Sequence, residues 1–319
     1  MKLRLVFFGT PAFAVPSLSA LESSRHRVVA VVTQPDRRRG RGQRVAPEAV
    51  KRTAAAHGLP VLQPERLSDP DFVAAFDAVD ADLGVVVAYG RILPAAVLNR
   101  PRLGLINVHA SILPRWRGAA PVHRAILAGD TRTGVTIMRV VQALDSGPIL
   151  MSEETEIGLN ETSAELADRL AILGAGLLVP AVDAIDTGVA RERAQDDSLA
   201  TYAPRLERHE GRLSWAQPAT AVHNHIRGLQ PWPMAGARLG GRLVFFVRSD
   251  VQSRTPADAP PGTIVAVLPD AIEVAAAPGT IRVLEIQPEG RRAMTVRAFL
   301  GGRRVVAGER FESLPTGTA

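Results

Sequence analysis

Two short apolar runs separated by a helical stretch fix the architecture of the first half of this sequence. Residues 3–8, apolar except for Arg4, contain no turn former and read as a strand covered on both faces. Gly9-Thr10-Pro11 then opens a helix over roughly residues 12–21, and residues 26–33 form a second strand. Strand, helix and strand in such close succession form a parallel crossover, so the fold class is α/β with a Rossmann-like, mostly parallel sheet. Helices at 47–56 and 69–79 and short strands at 59–62 and 82–88 continue the alternation. A dinucleotide site is the obvious rival for such a sheet. The first turn weakens it, because Gly9-Thr10-Pro11-Ala12-Phe13-Ala14 lacks the second and third glycines of the Gly-x-Gly-x-x-Gly fingerprint.

The apolar run at 103–108 ends where polar residues begin, in Asn107-Val108-His109. Strand alternation puts Asn107 and His109 on one face, at the carboxyl end of a strand, where open α/β sheets hold ligands. The amide can donate to a carbonyl oxygen, and the imidazole, with an unperturbed pKa of about 6.5, can move a proton near neutral pH. Asn-x-His alone is a weak motif and is more often structural. The residues beyond it form a rarer combination. Ser111 to Pro114 reads as a loop, Arg115 and Arg117 flank Trp116, and Gly118 and Pro121 open a helix.

Asn107-Val108-His109-Ala110-Ser111-Ile112-Leu113-Pro114-Arg115-Trp116-Arg117-Gly118-Ala119-Ala120-Pro121 closely resembles the signature of the methionyl-tRNA formyltransferases. Those enzymes move a formyl group from 10-formyltetrahydrofolate onto the amino group of methionine carried by initiator tRNA. The resemblance spans nearly the whole chain and departs at Ile112, where leucine is usual, a volume-conserving exchange. It implies that Asn107, His109 and the aspartate of Leu144-Asp145-Ser146-Gly147 form the catalytic set. Taken alone, Asp145 would read as a turn residue. It also implies a folate pocket between Tyr89, Ile92 and Leu93 on one side and Ser111, Ile112, Leu113 and Pro114 on the other.

Residues 34–45 contain Arg37, Arg38, Arg39, Arg41 and Arg44 among glycines, a composition that reads as an exposed, mobile loop. By resemblance this is the family's basic loop, which wedges against the end of the tRNA acceptor stem, with Arg41 at the key position. Arg38-Arg39 stands where relatives often carry Pro-Ala.

Strands at 133–140 and 148–154 precede Thr162-x-x-Glu165, a capping box opening a helix to about 185 that Pro180 should kink. The expected organisation is a formyltransferase domain at 1–189, a polar linker at 190–204, and a C-terminal domain at 205–319. In the last, short β runs at 243–247, 262–267, 272–276 and 281–286 suggest a small OB-like β-barrel. Residues 205–319 hold fifteen Arg, no Lys and ten acidic residues, most of the chain's net charge of +6. Such a surface favours a polyanionic partner. By resemblance this half grips initiator tRNA, with Arg205, Arg291 and Arg292 as candidate contacts, while Trp232, set between two prolines, is expected to pack.

The chain has no Cys, which excludes disulfides and thiolate chemistry, and its seven His lack metal-ligand spacing, so no metal is expected. No apolar run reaches membrane-spanning length, and Gly9, Pro11 and Pro16 interrupt what would otherwise imitate a signal peptide. A cytoplasmic monomer acting without a membrane is the expectation. Two other readings stay open: formyl transfer to an amino sugar or a nucleotide amine, and a catalytically silent RNA-binding protein.

Overall fold

The computed structural model describes residues 2–39, 44–255 and 257–315, with backbone alone for 37–39 and 44–46. The chain divides into two compact units that are not successive in sequence. One contains Met1–Pro121, Thr133–Thr155 and Ala167–Ala203; the other contains Val122–Arg132, Glu156–Leu166 and Pro204–Ala319.

The first unit holds β1 (Arg4–Gly9), β2 (Arg27–Val32), β3 (Arg37–Arg39), β4 (Arg44–Ala46), β5 (Val61–Leu62), β6 (Leu83–Val87), β7 (Leu105–His109), β8 (Arg117–Gly118), β9 (Arg132–Arg139), β10 (Ile149–Glu156) and β11 (Tyr202–Ala203). Seven of these make one sheet in the order β10-β9-β7-β6-β1-β2-β5. Parallel pairing joins β1 to β2 and β6, β6 to β7, and β2 to β5, whereas β9 runs antiparallel to β7. The sheet is therefore mostly parallel, as the alternation of runs predicts. The helices of the first half are α1 (Val15–Glu22), α2 (Ala49–Ala56), α3 (Pro70–Val79), α4 (Ala95–Leu98) and α5 (Pro121–Ala128), followed by α6 (Ser163–Asp186). An aromatic cluster fills one side of the sheet: Phe8 meets Phe76 and Tyr89 at centroid distances of 5.7 and 5.6 Å, and Phe72 stacks on Phe76. Each such ring contributes roughly 1.5–3 kcal/mol by leaving water, so this cluster anchors the strand ends above it.

Three expectations are corrected. Within the basic stretch, expected as a loop, β3 and β4 pair antiparallel, Arg37 opposite Ala46 and Arg39 opposite Arg44, so their backbone N–H and C=O groups find partners in each other. Arg41 lies outside the described residues. The linker expected at 190–204 carries pairing of its own. β11 pairs parallel with β8, and Ile149 and Arg193 exchange backbone hydrogen bonds at 2.7 and 2.9 Å.

In the second unit α7 (Ala219–Gly228) precedes β12 (Ala235–Leu239), β13 (Arg242–Ser253), β14 (Ile264–Val267), β15 (Ile272–Ala276), β16 (Gly279–Pro288), β17 (Met294–Thr295), α8 (Val296–Gly302) and β18 (Phe311–Ser313). The antiparallel order is β14-β15-β16-β13-β12-β18, with β17 beside β16. Gly240 and Gly241, at φ 53° and 76°, supply the two left-handed residues that a two-residue β12–β13 hairpin requires. The path curls on itself. The Phe311 N–H donates to the Gly262 carbonyl at 2.8 Å and the Ile264 N–H to that of Glu309 at 2.8 Å. In its core Trp215 stacks on Phe311, and both meet Phe246 edge-on. Trp232 is the third correction: it is 52% exposed, because its indole lies outside that core. The capping box forms as expected, Thr162 N–H donating to Glu165 Oε2 at 2.9 Å and Glu165 N–H to Thr162 Oγ1 at 3.3 Å. α6 continues through Pro180.

Candidate active site

Strand β7 delivers Asn107 and His109 together. Val86 and Met138 flank Asn107 on the neighbouring strands, and Thr136 flanks His109, so both sit at the carboxyl end of the parallel sheet on one face. Asn107 is half-buried and His109 buried. The His109 Nε2 lies 2.9 Å from the Trp116 carbonyl oxygen. A carbonyl only accepts, so Nε2 carries the hydrogen and Nδ1 presents its lone pair. That Nδ1 faces the Asp145 carboxylate, with Oδ2 at 3.7 Å. The same Oδ2 accepts the Gly118 N–H at 2.8 Å.

The sequence thus brings its three candidate catalytic residues to one place, but with a division of labour that spacing could not reveal. The imidazole is bonded to the Trp116 carbonyl, whereas Asp145, at 3.7 Å, stands beyond hydrogen-bond reach of it. Holding the carbonyl there takes special backbone. Trp116 has φ 63° and Gly118 φ 118°, and a Cβ on Gly118 would meet the Ala203 carbonyl oxygen at 2.8 Å. Arg115 lies over the Trp116 ring, its guanidinium carbon 4.5 Å from the centroid.

The loop from Ser111 to Pro114 lies directly after His109. The Ser111 hydroxyl donates to the Arg115 carbonyl at 2.6 Å, and Thr136 Oγ1 donates to the Ser111 carbonyl at 2.7 Å while accepting the Leu113 N–H at 3.2 Å. Leu113 packs with Met138 and Ile149, leaving Ile112 and Pro114 half-buried. On the other side of the candidate pocket the expectation needs correction. The Tyr89 ring is 1% exposed and packed edge-on against Phe8, so it belongs to the core, and burial raises its pKa. Leu93 is buried with it; Ile92 is exposed. What reaches the strand ends is the Tyr89 carbonyl, which accepts from Gln34 Nε2 at 2.7 Å and Thr10 Oγ1 at 3.3 Å. At the base of the basic ribbon, Asp36 binds Lys51 at 2.6 Å and Gln63 at 3.0 Å, and these contacts hold its carboxyl below the usual range.

Arg37, Arg38, Arg39 and Arg44 sit on the β3–β4 ribbon. In the second unit Arg205, Arg291 and Arg292 are exposed, the latter two between β16 and β17. Among the described residues no group of three or more His, Cys, Asp or Glu is placed to hold a metal, and no helix is long and apolar enough to cross a membrane.

Three supporting side chains and one backbone carbonyl were not among the expected site groups. Thr136 carried a signal, a hydroxyl inside the apolar run Val135–Met138 that must find buried partners. Thr201, whose hydroxyl accepts the Trp116 N–H at 2.9 Å, and Gln195 lie in polar sequence that offers none. The Trp116 carbonyl, being backbone, leaves no trace in residue type.

Residues 1–182 match the family model described as formyl transferase, and residues 205–304 match formyl transferase, C-terminal domain. A methionyl-tRNA formyltransferase of Methylococcus capsulatus is 47% identical over 97% of this chain and 99% of its own length. That of Xanthomonas euvesicatoria is 48% identical over 95% of this chain and 98% of its own. Among solved structures, an N-formyltransferase of Helicobacter canadensis, held with folinic acid and dTDP-3-aminofucose, superposes with a TM-score of 0.67 at 16% identity, covering 90% of this chain and 100% of that one. HypX of Aquifex aeolicus with tetrahydrofolic acid gives 0.66 at 14% identity over 98% of this chain, which spans about half, 51%, of HypX. These two share the fold. With both domain models matched and relatives at this identity aligned almost end to end, the chain belongs to the methionyl-tRNA formyltransferase family.

Proposed function

We propose that this protein transfers the formyl group of 10-formyltetrahydrofolate to the amino group of methionine on initiator tRNA. The observation that carries the reading is the meeting of Asn107, His109 and Asp145 at the carboxyl end of β7, inside a chain of this family. Folate-holding neighbours with the same fold support a folate-derived donor.

The chemistry joins nitrogen to carbon and releases nitrogen. The methionyl amine attacks the formyl carbon, the carbonyl oxygen gains negative charge, and the bond to the folate nitrogen breaks. The amine must shed a proton and the folate nitrogen must gain one. Asn107 donates to the developing oxyanion, an effect worth about 3 kcal/mol where such donors have been removed. His109 Nδ1 takes the amine proton, its Nε2–H remaining on the Trp116 carbonyl, and Asp145 at 3.7 Å offsets the imidazolium charge. The proton then passes to the departing folate nitrogen.

The segments around Ile92 and Ser111–Pro114 frame the folate, with Tyr89 and Leu93 supporting it from the core. Arg37, Arg38, Arg39, Arg41 and Arg44 of the ribbon segment engage the acceptor end, and Arg205, Arg291 and Arg292 hold backbone phosphates, for which the guanidinium fork is suited. The division of work places chemistry in residues 1–189 and tRNA gripping in 205–319. The enzyme is taken to act in the cytoplasm, in keeping with the translation-related relatives, and as a monomer.

The test is formylation of methionyl initiator tRNA by purified protein and 10-formyltetrahydrofolate, with elongator methionyl-tRNA alongside. Selective, folate-dependent formyl-methionine supports the reading. Formylation of an amino sugar with no tRNA product would transfer the assignment to that substrate. Binding of tRNA without any turnover would leave an RNA-binding protein.

A further inference from the structure

We propose that Gln195 is a positioning residue for the formyl transfer, holding the Asp145–Gly147 loop so that the Asp145 carboxylate faces His109. The inference rests on the roles given above to Asp145 and His109.

The Gln195 amide nitrogen donates to the carbonyl oxygens of both Asp145, at 2.9 Å, and Gly147, at 2.8 Å. Its oxygen accepts from Arg117 Nε at 3.0 Å and Nη2 at 2.8 Å. Both N–H donors and both acceptor sites of the amide are therefore used. Only one orientation of the amide fits: turned over, its oxygen would face two carbonyls and its nitrogen a guanidinium.

Arg117 is 4% exposed and also binds Asp197 at 2.7 Å. It lies on β8 beside Gly118, whose N–H donates to the Asp145 carboxylate at 2.8 Å. Asp145 is thus tied to β8 twice: its carboxylate directly through Gly118, and its backbone through Gln195 and Arg117. The second tie bears on the backbone, because Asp145 has φ 47°, a left-handed conformation that aspartate tolerates better than most side chains but that still favours glycine. Without the amide's two donors, the Asp145 and Gly147 carbonyls lose a shared anchor and the backbone relaxes toward negative φ. The carboxylate then swings from the imidazole while His109 stays on the Trp116 carbonyl.

Gln195→Glu separates this role from simple support of Arg117. A glutamate still accepts from the guanidinium but cannot donate to either loop carbonyl. Melting temperature should fall by no more than a few degrees, the charged partner for Arg117 offsetting part of the two lost bonds, while kcat measured well below it falls roughly 10- to 100-fold, the scale of a displaced catalytic group, with KM for folate and for tRNA little changed. Gln195→Met, which lacks both functions, should lose kcat at least as far.

Single-turnover rates in an Asp145→Asn background complete the test. If Gln195 acts through Asp145, adding Gln195→Glu there should change the rate by no more than about twofold. Near-parental kcat in Gln195→Glu, a loss confined to KM, or losses that multiply in the double variant would each overturn the proposal. A parental rate in Asp145→Asn itself would instead remove the catalytic reading of Asp145, on which this one stands.

Discussion

Replacing Thr136 by Val tests whether the Ser111–Pro114 loop is held from below. The side chain is fully buried on β9, and Val keeps its branched shape and strand preference while deleting one oxygen. That oxygen serves two backbone groups, donating to the Ser111 carbonyl at 2.7 Å and accepting the Leu113 N–H at 3.2 Å. Two neutral hydrogen bonds are worth about 1 kcal/mol each, and a buried group left without its partner costs about 1–3 kcal/mol more, so the net loss should be about 2–4 kcal/mol. For a chain of this size, at about 2 °C per kcal/mol, the melting temperature should fall by about 4–8 °C. Thermal unfolding reads this directly. The functional arm is steady-state formylation: KM for 10-formyltetrahydrofolate should rise while KM for tRNA holds. A melting temperature within about 1 °C of the parent would refute the hydrogen-bond accounting. A normal folate KM in a destabilised variant would refute the loop's place in the folate site.

Asn107→Ala and His109→Ala should each lower turnover by about 10²–10⁴-fold with little change in melting temperature, and near-normal turnover in either would remove that residue from the mechanism. Arg41→Ala should slow formylation of tRNA more than it weakens folate binding, measured by titration with 5-formyltetrahydrofolate; equal losses would count against the segment's assignment to tRNA. Burial lowers the pKa of His123, His223 and His225 in the second unit, where the rings meet the Gly228, Leu159 and Glu210 carbonyls. A base whose folded pKa lies below its unfolded value adds stability above about pH 6.5 that is lost as pH falls below it. Denaturant unfolding should therefore weaken between about pH 7.5 and 5.5, and less steeply in His223→Gln; an identical slope would refute the contribution of His223.

The legible parts were those written in periodicity and in short fixed spacings. Buried parallel strands have a pattern of their own, which is why β1, β2, β6 and β7 could be read, and a strand's period of two put Asn107 beside His109 from residue order alone. Thr162 and Glu165 were legible because a capping box is a local contract between four residues. The burial of Tyr89 is illegible because the strand ends at Val87 and Ala88, at φ 47°, turns the backbone: the ring goes into the core, while the Tyr89 carbonyl oxygen meets Gln34. Gln195 and Thr201 were illegible for another reason: their partners lie 50 to 85 residues earlier, at Asp145 and Trp116, and nothing in a polar stretch announces a distant carbonyl.

The pairing of β11 with β8 bears on how such an enzyme can be divided. A fragment ending at residue 189 would retain every strand of the seven-stranded sheet and all three proposed catalytic side chains, yet it would lack Gln195, Thr201 and the edge that pairs with Arg117–Gly118. Nor would a cut after Ala203 separate the compact units cleanly, since residues 122–132 and 156–166 belong with the second. Gene truncation, fusion or exchange of the C-terminal half between relatives therefore has no neutral seam here, and any hybrid must inherit the stretch after α6 together with the loop it braces.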